Sequence, residues 1–404
     1  MGDVFEVYAQ LRTDLVLLDY EAVNTDEDII NFQNCILRLS DMTVLPHSPD
    51  ILSTIQIPCI WTGKPTPTPI FDSFMHTLTN GDEDIKNLLL EFIGAAISNI
   101  KGWRMKKALF MIGPGDTGKS QLKSLTERLL GRGNFVGIDL KEIESRFGTS
   151  NLYNKRLAGS SDMSFMTVDE LKTFKKCTGG DSLFAEFKGQ NGFEFTYNGL
   201  LWFCMNRLPK FGGDDGQWVY NRIMQVNCPN IIPKRKQDKH LLDKLYTERD
   251  GIVYMAVMAL KNVIANKYTF TEPASVTQAR EDYWLENNTV TAFWKECMEY
   301  RPTPGKIEDG CTTSMVYDVY KAWCGDNNHS YYKTAHEFRT EICGYLGTEL
   351  DKITKRHKIG MFYTQYTIAD HAKKTYRNAY GWQDTPPLDK EFAKGYEEFP
   401  DFLM

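Results

Sequence analysis

The spacing of apolar residues changes along the chain, and it is most regular in the middle. Between residues 106 and 232, short apolar stretches alternate with segments whose apolar residues recur at helical spacing. The leucines of Lys119–Leu130 predict an amphipathic helix. The strand-like stretches are ALFMIG (108–113), FVGIDL (135–140), RLAGSS (156–161) and LLWFCMN (200–206). This repeated strand–helix order predicts an α/β core with a mainly parallel sheet flanked by helices.

The regions on either side of this core have different patterns. Asn34–His47 alternates and contains turn residues, which predicts a small hairpin, and Ile85–Ile100 predicts a buried helix. The three prolines of GKPTPTPIF (63–71) predict an extended connector between them. Near the C-terminus, helix-like spacing is followed by an alternating stretch, MFYTQYTI (361–368), which predicts a single strand. Helices followed by a short hairpin suggest a winged-helix-like domain.

These patterns divide the chain into six segments. We expect a small N-terminal α/β region (1–70), a helical collar (71–105), an ATPase core (106–232), a helical segment (233–285), a winged-helix-like domain (286–370) and a tail (371–404). A chain of 404 residues is long enough for two or three domains that each bury a core.

Composition and charge exclude several classes of protein. No apolar run approaches the roughly 18 residues that indicate a membrane span, and the first residues lack the pattern of a secretory signal. The nine cysteines form no CxxC pair and have no zinc spacing, so we expect reduced thiols in a cytoplasmic protein. The net charge of −6 argues against a uniformly basic DNA-binding protein. It does not argue against a ring that lines its channel with a few lysines.

The strongest motif is a phosphate-binding loop between the first predicted strand of the core and the helix that follows it. GPGDTGKS fits the pattern GxxxxGK followed by Ser or Thr at every fixed position. Glycines let successive N–H groups face a phosphate, and the start of the helix adds a positive end. Lys119 would contact the β- and γ-phosphates of ATP, and Ser120 would bind Mg²⁺. The predicted nucleotide-binding residues are Gly113, Pro114, Gly115, Asp116, Thr117, Gly118, Lys119 and Ser120.

Three further residues fit the remaining roles of an ATPase site. Asp162 ends one predicted strand and is a candidate metal ligand, with Asp139 on the neighbouring strand as its rival. Asn206 ends the most apolar strand, where an amide could orient the attacking water. Arg222 is a candidate for an arginine supplied to the site of a neighbouring subunit, with Arg207 as its rival.

Together these segments resemble the superfamily 3 helicases of the AAA+ class, in the phage and plasmid primase and poxvirus primase-helicase branch. The resemblance spans roughly residues 30–370 and rests on five segments: GPGDTGKS, NKRLAGSSDMS, TGGDSLFAEFKGQNGFEFTYNG, LLWFCMNRLP and WVYNRI. It implies that Asn206 is sensor 1 and that Arg222 is the inter-subunit arginine finger. Relatives commonly have two acids or a glutamate where this chain has Ser161-Asp162, so the water-activating base is left open.

The resemblance also implies where DNA binds. The segment before Asn206 resembles a DNA-contacting β-hairpin, with Lys188, Gly189 and Gln190 at its tip. Independently of the resemblance, FAEFKGQNGFEFTY alternates and places glycines at a turn, and a lysine at such a tip can pair with DNA phosphates. Lys188 could equally be an exposed edge-strand charge.

Two basic runs have the same ambiguity. Lys234-Arg235-Lys236 follows a proline, and we interpret it as a solvated loop. Lys355 and Lys358 precede the last predicted strand, where the wing of a winged-helix domain would contact DNA, although a charged turn is equally consistent.

We therefore predict an ATP- and Mg²⁺-dependent DNA helicase or translocase. It would act in replication of a phage, plasmid or mobile element, within a bacterial host cell or virus-infected cell. The expected partners are single-stranded and duplex DNA, further copies of the chain in a hexameric ring, and a candidate primase or polymerase, with no membrane. Two alternatives remain: an origin-binding initiator controlled by ATP, and a small-molecule kinase with the same loop. The length of the segment before Asn206 argues against the kinase.

Overall fold

The computed structural model describes residues 23–165, 167–168, 171–211, 217–301, 312–327, 329, 332–357 and 360–380. The chain divides into two compact units, Met1–Glu281 and Asp282–Met404. Most of the predicted tail, residues 381–404, lies outside the described residues, as do Lys358 and the first 22 residues of the predicted N-terminal region.

A five-stranded parallel sheet forms the centre of the first unit. Its strands are β4 (Ala108–Ile112), β5 (Phe135–Gly137), β6 (Leu157–Gly159), β10 (Leu200–Met205) and β12 (Ile223–Asn227). They lie side by side in the order β12-β4-β10-β6-β5, and every pair is parallel. The predicted α/β core with a parallel sheet flanked by helices is confirmed, and it is consistent with a P-loop-like core. All four predicted strands are present, although each is one to three residues shorter than its apolar stretch.

Burial explains why β10 lies at the middle of this sheet. All six of its residues are buried, so a strand of this composition requires neighbours on both edges and cover on both faces. The adjacent strand β6 lies so close to β10 that Gly159 of β6 cannot be replaced by a larger residue without a shift of the backbone. A Cβ atom there would lie 1.8 Å from the carbonyl oxygen of Trp202, and the φ of Gly159 is +144°.

The shorter elements of the first unit surround the sheet. At the start, β1 (Ile29–Asn31), β2 (Ile36–Arg38) and β3 (Val44–Leu45) form a small antiparallel sheet that contains the predicted hairpin. The helices are α1 (Pro69–Leu78), α2 (Glu83–Ile97), α3 (Lys119–Leu130), α4 (Leu140–Ile143), α5 (Lys172–Gly179), α6 (Gln217–Tyr220), α7 (Leu241–Thr247), α8 (Arg249–Ala265) and α9 (Ala274–Asn287). The remaining strands are β7 (Thr167–Val168), β8 (Ser182–Ala185), β9 (Phe193–Thr196) and β11 (Lys210–Phe211).

Helices from before and after the sheet pack together. Gly94 of α2 faces Ala256 of α8, and a Cβ at Gly94 would lie 2.2 Å from the carbonyl oxygen of Ala256. The two backbones therefore approach closely, and both helices contribute to the same apolar core. The connector that we predicted through Pro69 ends one residue earlier, because Pro69 occupies the first turn of α1, where proline is favoured.

The second unit contains helices that are followed by a short β-hairpin; its assignment as a winged-helix-like domain stays a prediction. Its helices are α10 (Thr289–Cys297), α11 (Thr313–Asp326), α12 (Ala335–Leu346), α13 (Leu350–Ile353) and α14 (Asp370–Thr375), and its strands are β13 (Met298–Tyr300), β14 (Thr354–His357), β15 (Gly360–Tyr363) and β16 (Tyr366–Ile368). Phe293, Tyr320 and Phe338 meet in the core of three successive helices. The hairpin β14–β15 follows these helices in the position of a wing.

The prediction of one strand over Met361–Ile368 is wrong. The chain bends at Thr364 and Gln365, so β15 pairs with β14 while β16 pairs with β13. The bend is held by hydrogen bonds from Thr364 N to Ile353 O (3.0 Å) and from Arg301 N to Gln365 O (2.8 Å). These partners are distant in the sequence, so the local residue pattern alone suggested a single strand.

Candidate nucleotide-binding site

The predicted phosphate loop connects β4 to α3. Two of its residues have left-handed backbone conformations: Asp116, with φ of +62°, and Gly118, with φ of +95°. Gly113 lies very close to the backbone that follows β12, since a Cβ at Gly113 would lie 2.1 Å from the carbonyl oxygen of Cys228. Such a turn directs backbone N–H groups towards one side, next to the N-terminal end of a twelve-residue helix. The loop therefore has the backbone form of an anion-binding site.

Lys119 lies over this loop with its ammonium group largely buried. Its Nζ donates to Gly113 O (2.8 Å), Pro114 O (2.7 Å) and Thr117 Oγ1 (3.1 Å), which are all neutral acceptors. Burial lowers the pKa of Lys119, and the nearby Cys228, Cys204 and Asp162 act in the opposite direction. A half-desolvated cation held by neutral oxygens is well suited to phosphate oxygens, which would balance its charge.

The structure brings the other predicted residues of the site to the same cavity. Ser120 Oγ donates to Ser161 O at 2.6 Å, which places the start of α3 beside the end of β6. Asp162 and Asn206, which follow β6 and β10, line a cavity of about 1400 Å³ together with Gly115 to Ser120. Gly113 and Pro114 do not line it. The cavity is large enough for a nucleoside triphosphate.

The two rival acids have different surroundings. Asp139 is the N-cap of α4 and forms a capping box with Glu142, whose side chain accepts from Asp139 N at 2.8 Å. Asp139 does not line the cavity, whereas Asp162 does. The local structure therefore accounts for Asp139 through helix capping, and Asp162 is the better placed candidate for a metal ligand.

Sequence reasoning missed the opposite wall of the cavity. One part is α1, through Pro69, Ile70 and Phe74 among others, and the other part is the segment 229–241, which follows β12. Ile232 N donates to Asp116 O at 2.9 Å, so this segment is attached directly to the phosphate loop. The apolar residues of α1, such as Phe71, Phe74 and Leu78, recur at helical spacing, which indicates a helix but not a cavity wall. The basic run within the segment 229–241 is interpreted from the sequence as a solvated loop. Its residues are indeed exposed, but Lys236 also lines the cavity.

Arg222 lies at the other edge of the sheet. Its carbonyl oxygen accepts from Ala108 N, at the beginning of β4, while the phosphate loop follows the end of that strand. Five strand residues separate the two edges by roughly 15 Å. Nη1 of Arg222 donates to Lys175 O (3.0 Å) and to Thr178 Oγ1 (2.8 Å). Burial lowers the pKa of Arg222, whereas the negative charge of Asp181 raises it. Arg222 does not line the cavity of its own subunit.

The rival arginine, Arg207, directly follows Asn206 and is exposed. Its guanidinium carbon lies 4.7 Å from the centre of the Phe165 ring. Arg207 does not line the cavity either, so the choice between the two arginines stays a prediction.

The predicted DNA-contacting hairpin consists of β8 and β9, paired antiparallel from Ser182↔Thr196 to Ala185↔Phe193. Lys188, Gly189 and Gln190 lie in the exposed connection between the strands, with a φ of +78° at Gly189. Along β9, the rings of Phe193 and Phe195 lie 4.9 Å and 5.4 Å from that of Tyr153. Packed aromatic side chains on β9 therefore support an exposed tip that does not line the nucleotide cavity.

In the second unit, Lys355 lies on β14 and is exposed, as is the adjacent Arg356. Both belong to the wing-like hairpin. Lys358, the other predicted DNA contact here, lies outside the described residues.

Within the described residues, no group of three or more His, Cys, Asp or Glu side chains is arranged to hold a metal ion. One carboxylate and one hydroxyl beside a phosphate-binding loop nevertheless fit Mg²⁺, which is usually held by few protein ligands plus substrate phosphates. No helix in the same part of the chain combines the length and apolar character needed to cross a bilayer.

Three family models match this chain. Residues 1–80 match a family described as "D5 N terminal like", and residues 285–377 match "Poxvirus D5 protein-like". Between them, residues 111–222 match a family of unknown function (DUF5906). The two outer matches confirm the resemblance to the poxvirus primase-helicase branch. The middle match covers the phosphate loop, Asp162, Asn206 and Arg222.

Two solved structures of the NrS-1 C-terminal region are similar to this chain. "The A form apo structure of NrS-1 C terminal region-CTR" is 15% identical, with a TM-score of 0.40, covering 67% of this chain and 67% of that one. "The apo structure of NrS-1 C terminal region (305-718)" is 13% identical, with a TM-score of 0.38, covering 83% of this chain and 95% of that one.

Proposed function

We propose, from the matches of residues 1–80 and 285–377 to two D5-type families, that this chain is an ATP-dependent DNA helicase or translocase of the D5-type primase-helicase family. We propose further that it acts as a hexameric ring of identical subunits during replication of a phage, plasmid or mobile element. It would work in the cytoplasm of a bacterial host cell or of a virus-infected cell, alone or with a separate primase or polymerase.

One observation supports this proposal above the others. Lys119, Ser120, Asp162 and Asn206 come from three different places in the sequence, and they line one cavity at the carboxyl edge of the sheet. That edge is where ligands bind in parallel α/β sheets. A cation, a hydroxyl, a carboxylate and an amide beside a phosphate loop are the groups that phosphoryl transfer requires.

Each of these residues has a distinct proposed role. Lys119 holds the β- and γ-phosphates, because its buried ammonium is available to anionic oxygens. Ser120 and Asp162 hold Mg²⁺, which would neutralise charge on the phosphates when it is bound. Asn206 orients the attacking water through its side-chain amide. The base that takes the proton of that water is not assigned.

Arg222 completes the site only from a neighbouring subunit. It lies at the edge of the sheet opposite the phosphate loop, roughly 15 Å away by strand length, so it cannot act on its own nucleotide. A guanidinium supplied across an interface would stabilise the negative charge of the transition state. Hydrolysis would then depend on assembly of the ring.

The exposed tip at Lys188–Gln190 is the proposed contact with single-stranded DNA. The hairpin lies in the sequence between Asp162 and Asn206. A movement of either residue at the nucleotide site can therefore be transmitted to the hairpin through the segment of chain that joins them. A lysine contact to phosphates would not distinguish between base sequences.

A strand-separation assay tests this function. A forked DNA duplex is incubated with the protein, Mg²⁺ and ATP, and release of one strand is followed by fluorescence. We expect release with the wild type and none with Lys119→Ala, because that variant lacks the cation at the phosphates. Nucleotide-independent release, or none with any fork, would contradict a helicase.

A second candidate, an origin-binding initiator, is favoured by one observation. The second unit has an exposed basic hairpin at Lys355 and Arg356, in the position of a wing. An initiator would bind one duplex sequence far more tightly than others, with ATP controlling assembly only. Equal affinity for unrelated duplexes, measured at one salt concentration, would exclude it.

A further inference from the structure

The segment 229–241, here called the strap, forms one wall of the nucleotide cavity and is held at several points. Ile232 N donates to Asp116 O at 2.9 Å, which fixes the strap to the phosphate loop. Asn230 Nδ2 donates to Thr77 O (2.9 Å) and to Asn80 Oδ1 (3.0 Å), which fixes it to the region around the end of α1. Gln237 Nε2 donates back to Ile232 O at 3.1 Å. The strap therefore keeps a defined position beside the cavity.

Two lysines of the strap, Lys236 and Lys239, line the cavity. Both are exposed, and the described residues provide neither of them with an ion-pair partner. The acid between them, Asp238, also lines the cavity, but its hydrogen-bond partners do not. It accepts from Lys244 Nζ at 2.6 Å and from His240 N at 2.9 Å, and these bonds lower its pKa. Lys236 and Lys239 thus bring positive charge to the cavity that the strap itself does not neutralise.

The rest of the basic run behaves differently. Lys234 and Arg235 are equally exposed, yet they do not line the cavity. A general excess of positive charge would not produce this distinction. Within one short stretch, the structure separates two cations that face the cavity from two that do not.

We infer that Lys236 and Lys239 are further phosphate-binding residues of this site and that they favour a nucleoside triphosphate over a diphosphate. This inference rests on the proposed function, since it assumes a nucleotide in the cavity. Attraction between a lysine and a polyphosphate grows with the number of phosphate charges nearby. Lysine suits the role because its compact charge sits on a flexible chain that can follow the phosphates.

The inference predicts an effect that scales with phosphate number. A charge-assisted contact to phosphate contributes enough to shift affinity by ~10-fold. Removing both cations should therefore weaken ATP binding by about tenfold or more, weaken ADP binding less, and leave adenosine binding unchanged.

Calorimetric titration of the full chain with ATP, ADP and adenosine, in the presence of Mg²⁺, tests this expectation. The test protein carries Lys236→Ala and Lys239→Ala. Its matched control carries Lys234→Ala and Arg235→Ala, which remove the same charge from the same run outside the cavity. Thermal unfolding of both proteins shows whether either is destabilised. We expect the graded loss in the test protein and wild-type affinities in the control.

Two results would overturn the inference: unchanged ATP affinity in the test protein, or an equal loss in the control, which would indicate only long-range attraction. Lys119→Ala separates this failure from that of the proposed function. If Lys119→Ala abolishes ATP binding while the strap variants bind normally, only the strap inference fails. If Lys119→Ala also binds ATP normally, the nucleotide site itself is wrong.

Discussion

Asp162 and Asp139 show how one residue type takes two roles in neighbouring positions. Both follow short parallel strands, and both were candidates for the metal ligand. Asp139 uses its carboxylate to cap a helix, whereas Asp162 faces the cavity beside Ser120. A carboxylate that accepts a hydrogen bond from a backbone N–H group is a weaker metal ligand, whereas a carboxylate that lines the cavity can bind a metal ion there.

This difference leads to a paired prediction. Asp162→Asn should lower Mg²⁺-dependent ATP hydrolysis at least ~10-fold while nucleotide binding changes less, because an amide is a weaker Mg²⁺ ligand. Asp139→Asn should leave hydrolysis unchanged, because asparagine caps helices as well as aspartate does. Steady-state rates across a Mg²⁺ titration give the comparison. The reverse ranking would show that the metal lies at the other strand.

Arg156 has a structural role that the sequence does not indicate. It is fully buried, and its guanidinium donates to Asn198 O (2.6 Å), Ile100 O (2.7 Å) and Ala95 O (3.2 Å). Burial lowers the pKa of Arg156 to about 10, with Tyr197 and Glu27 opposing. It therefore joins the end of α2, the start of β6 and the turn before β10.

Arg156→Ala should lower the free energy of unfolding by about 3 kcal/mol, since three buried carbonyl groups lose their donor. Arg156→Lys should recover part of this loss through a single donor group. Urea denaturation of the two variants and the wild type measures the difference. A loss below about 0.5 kcal/mol, as is usual for surface positions, would contradict this role.

The residue scale also shows what a sequence can and cannot reveal. Asp139 with Glu142 three residues later is a capping-box pattern, so a signal for its structural role was present. Arg156 carries no such signal, because an arginine is ordinarily exposed and only the packed elements around it reveal its burial.

Among the elements, the hairpin β8–β9 is the one most directly tied to DNA. Its strand β9 packs through Phe193 and Phe195 against Tyr153, while Lys188 at the tip is exposed. A rigid support with a free cation is suited to following a phosphate backbone without contributing to ATP binding.

Lys188→Ala should keep the basal rate of ATP hydrolysis but lose its stimulation by DNA and lose unwinding. The loss should be similar for all DNA sequences and should depend on salt, because the contact is to phosphates. Lys141→Ala, at an exposed position on α4, is the control and should behave as wild type. Wild-type unwinding by Lys188→Ala throughout a salt titration would remove the hairpin from the mechanism.

Elements were predictable where one kind of spacing dominated. β10 was predictable because its apolar run is continuous, and α3 because its leucines recur at helical spacing. The strand at Met361–Ile368 was mispredicted because the bend within it depends on hydrogen bonds to Ile353 and Arg301, which are distant in the sequence. The cavity wall formed by α1 and the strap was missed, because it depends on long-range contacts such as that between Ile232 and Asp116.

For the whole molecule, the position of Arg222 has the widest consequence. It lies away from the nucleotide cavity of its own subunit, so a catalytic role requires assembly. Arg222→Ala should leave ATP binding nearly intact and reduce hydrolysis strongly, since a finger acts mainly on the transition state. Its hydrogen bonds to Lys175 and Thr178 make a stability measurement a necessary control.

Mixing subunits tests this inter-subunit arrangement. Arg222→Ala protein mixed with Lys119→Ala protein should regain part of the hydrolysis rate, because some interfaces combine an intact loop with an intact arginine. No recovery, after subunit exchange has been demonstrated with labelled protein, would argue against an arginine supplied in trans and would favour Arg207 or an internal role.

The central claim is that this chain couples ATP hydrolysis at the phosphate loop to single-stranded DNA. The most direct test is the steady-state rate of ATP hydrolysis by the wild type as single-stranded DNA is added, with Lys119→Ala as the reference. The account predicts a Mg²⁺-dependent rate that rises with DNA and saturates, and no rate above background in Lys119→Ala. A wild-type rate that is indifferent to DNA, or one that Lys119→Ala retains, would contradict it.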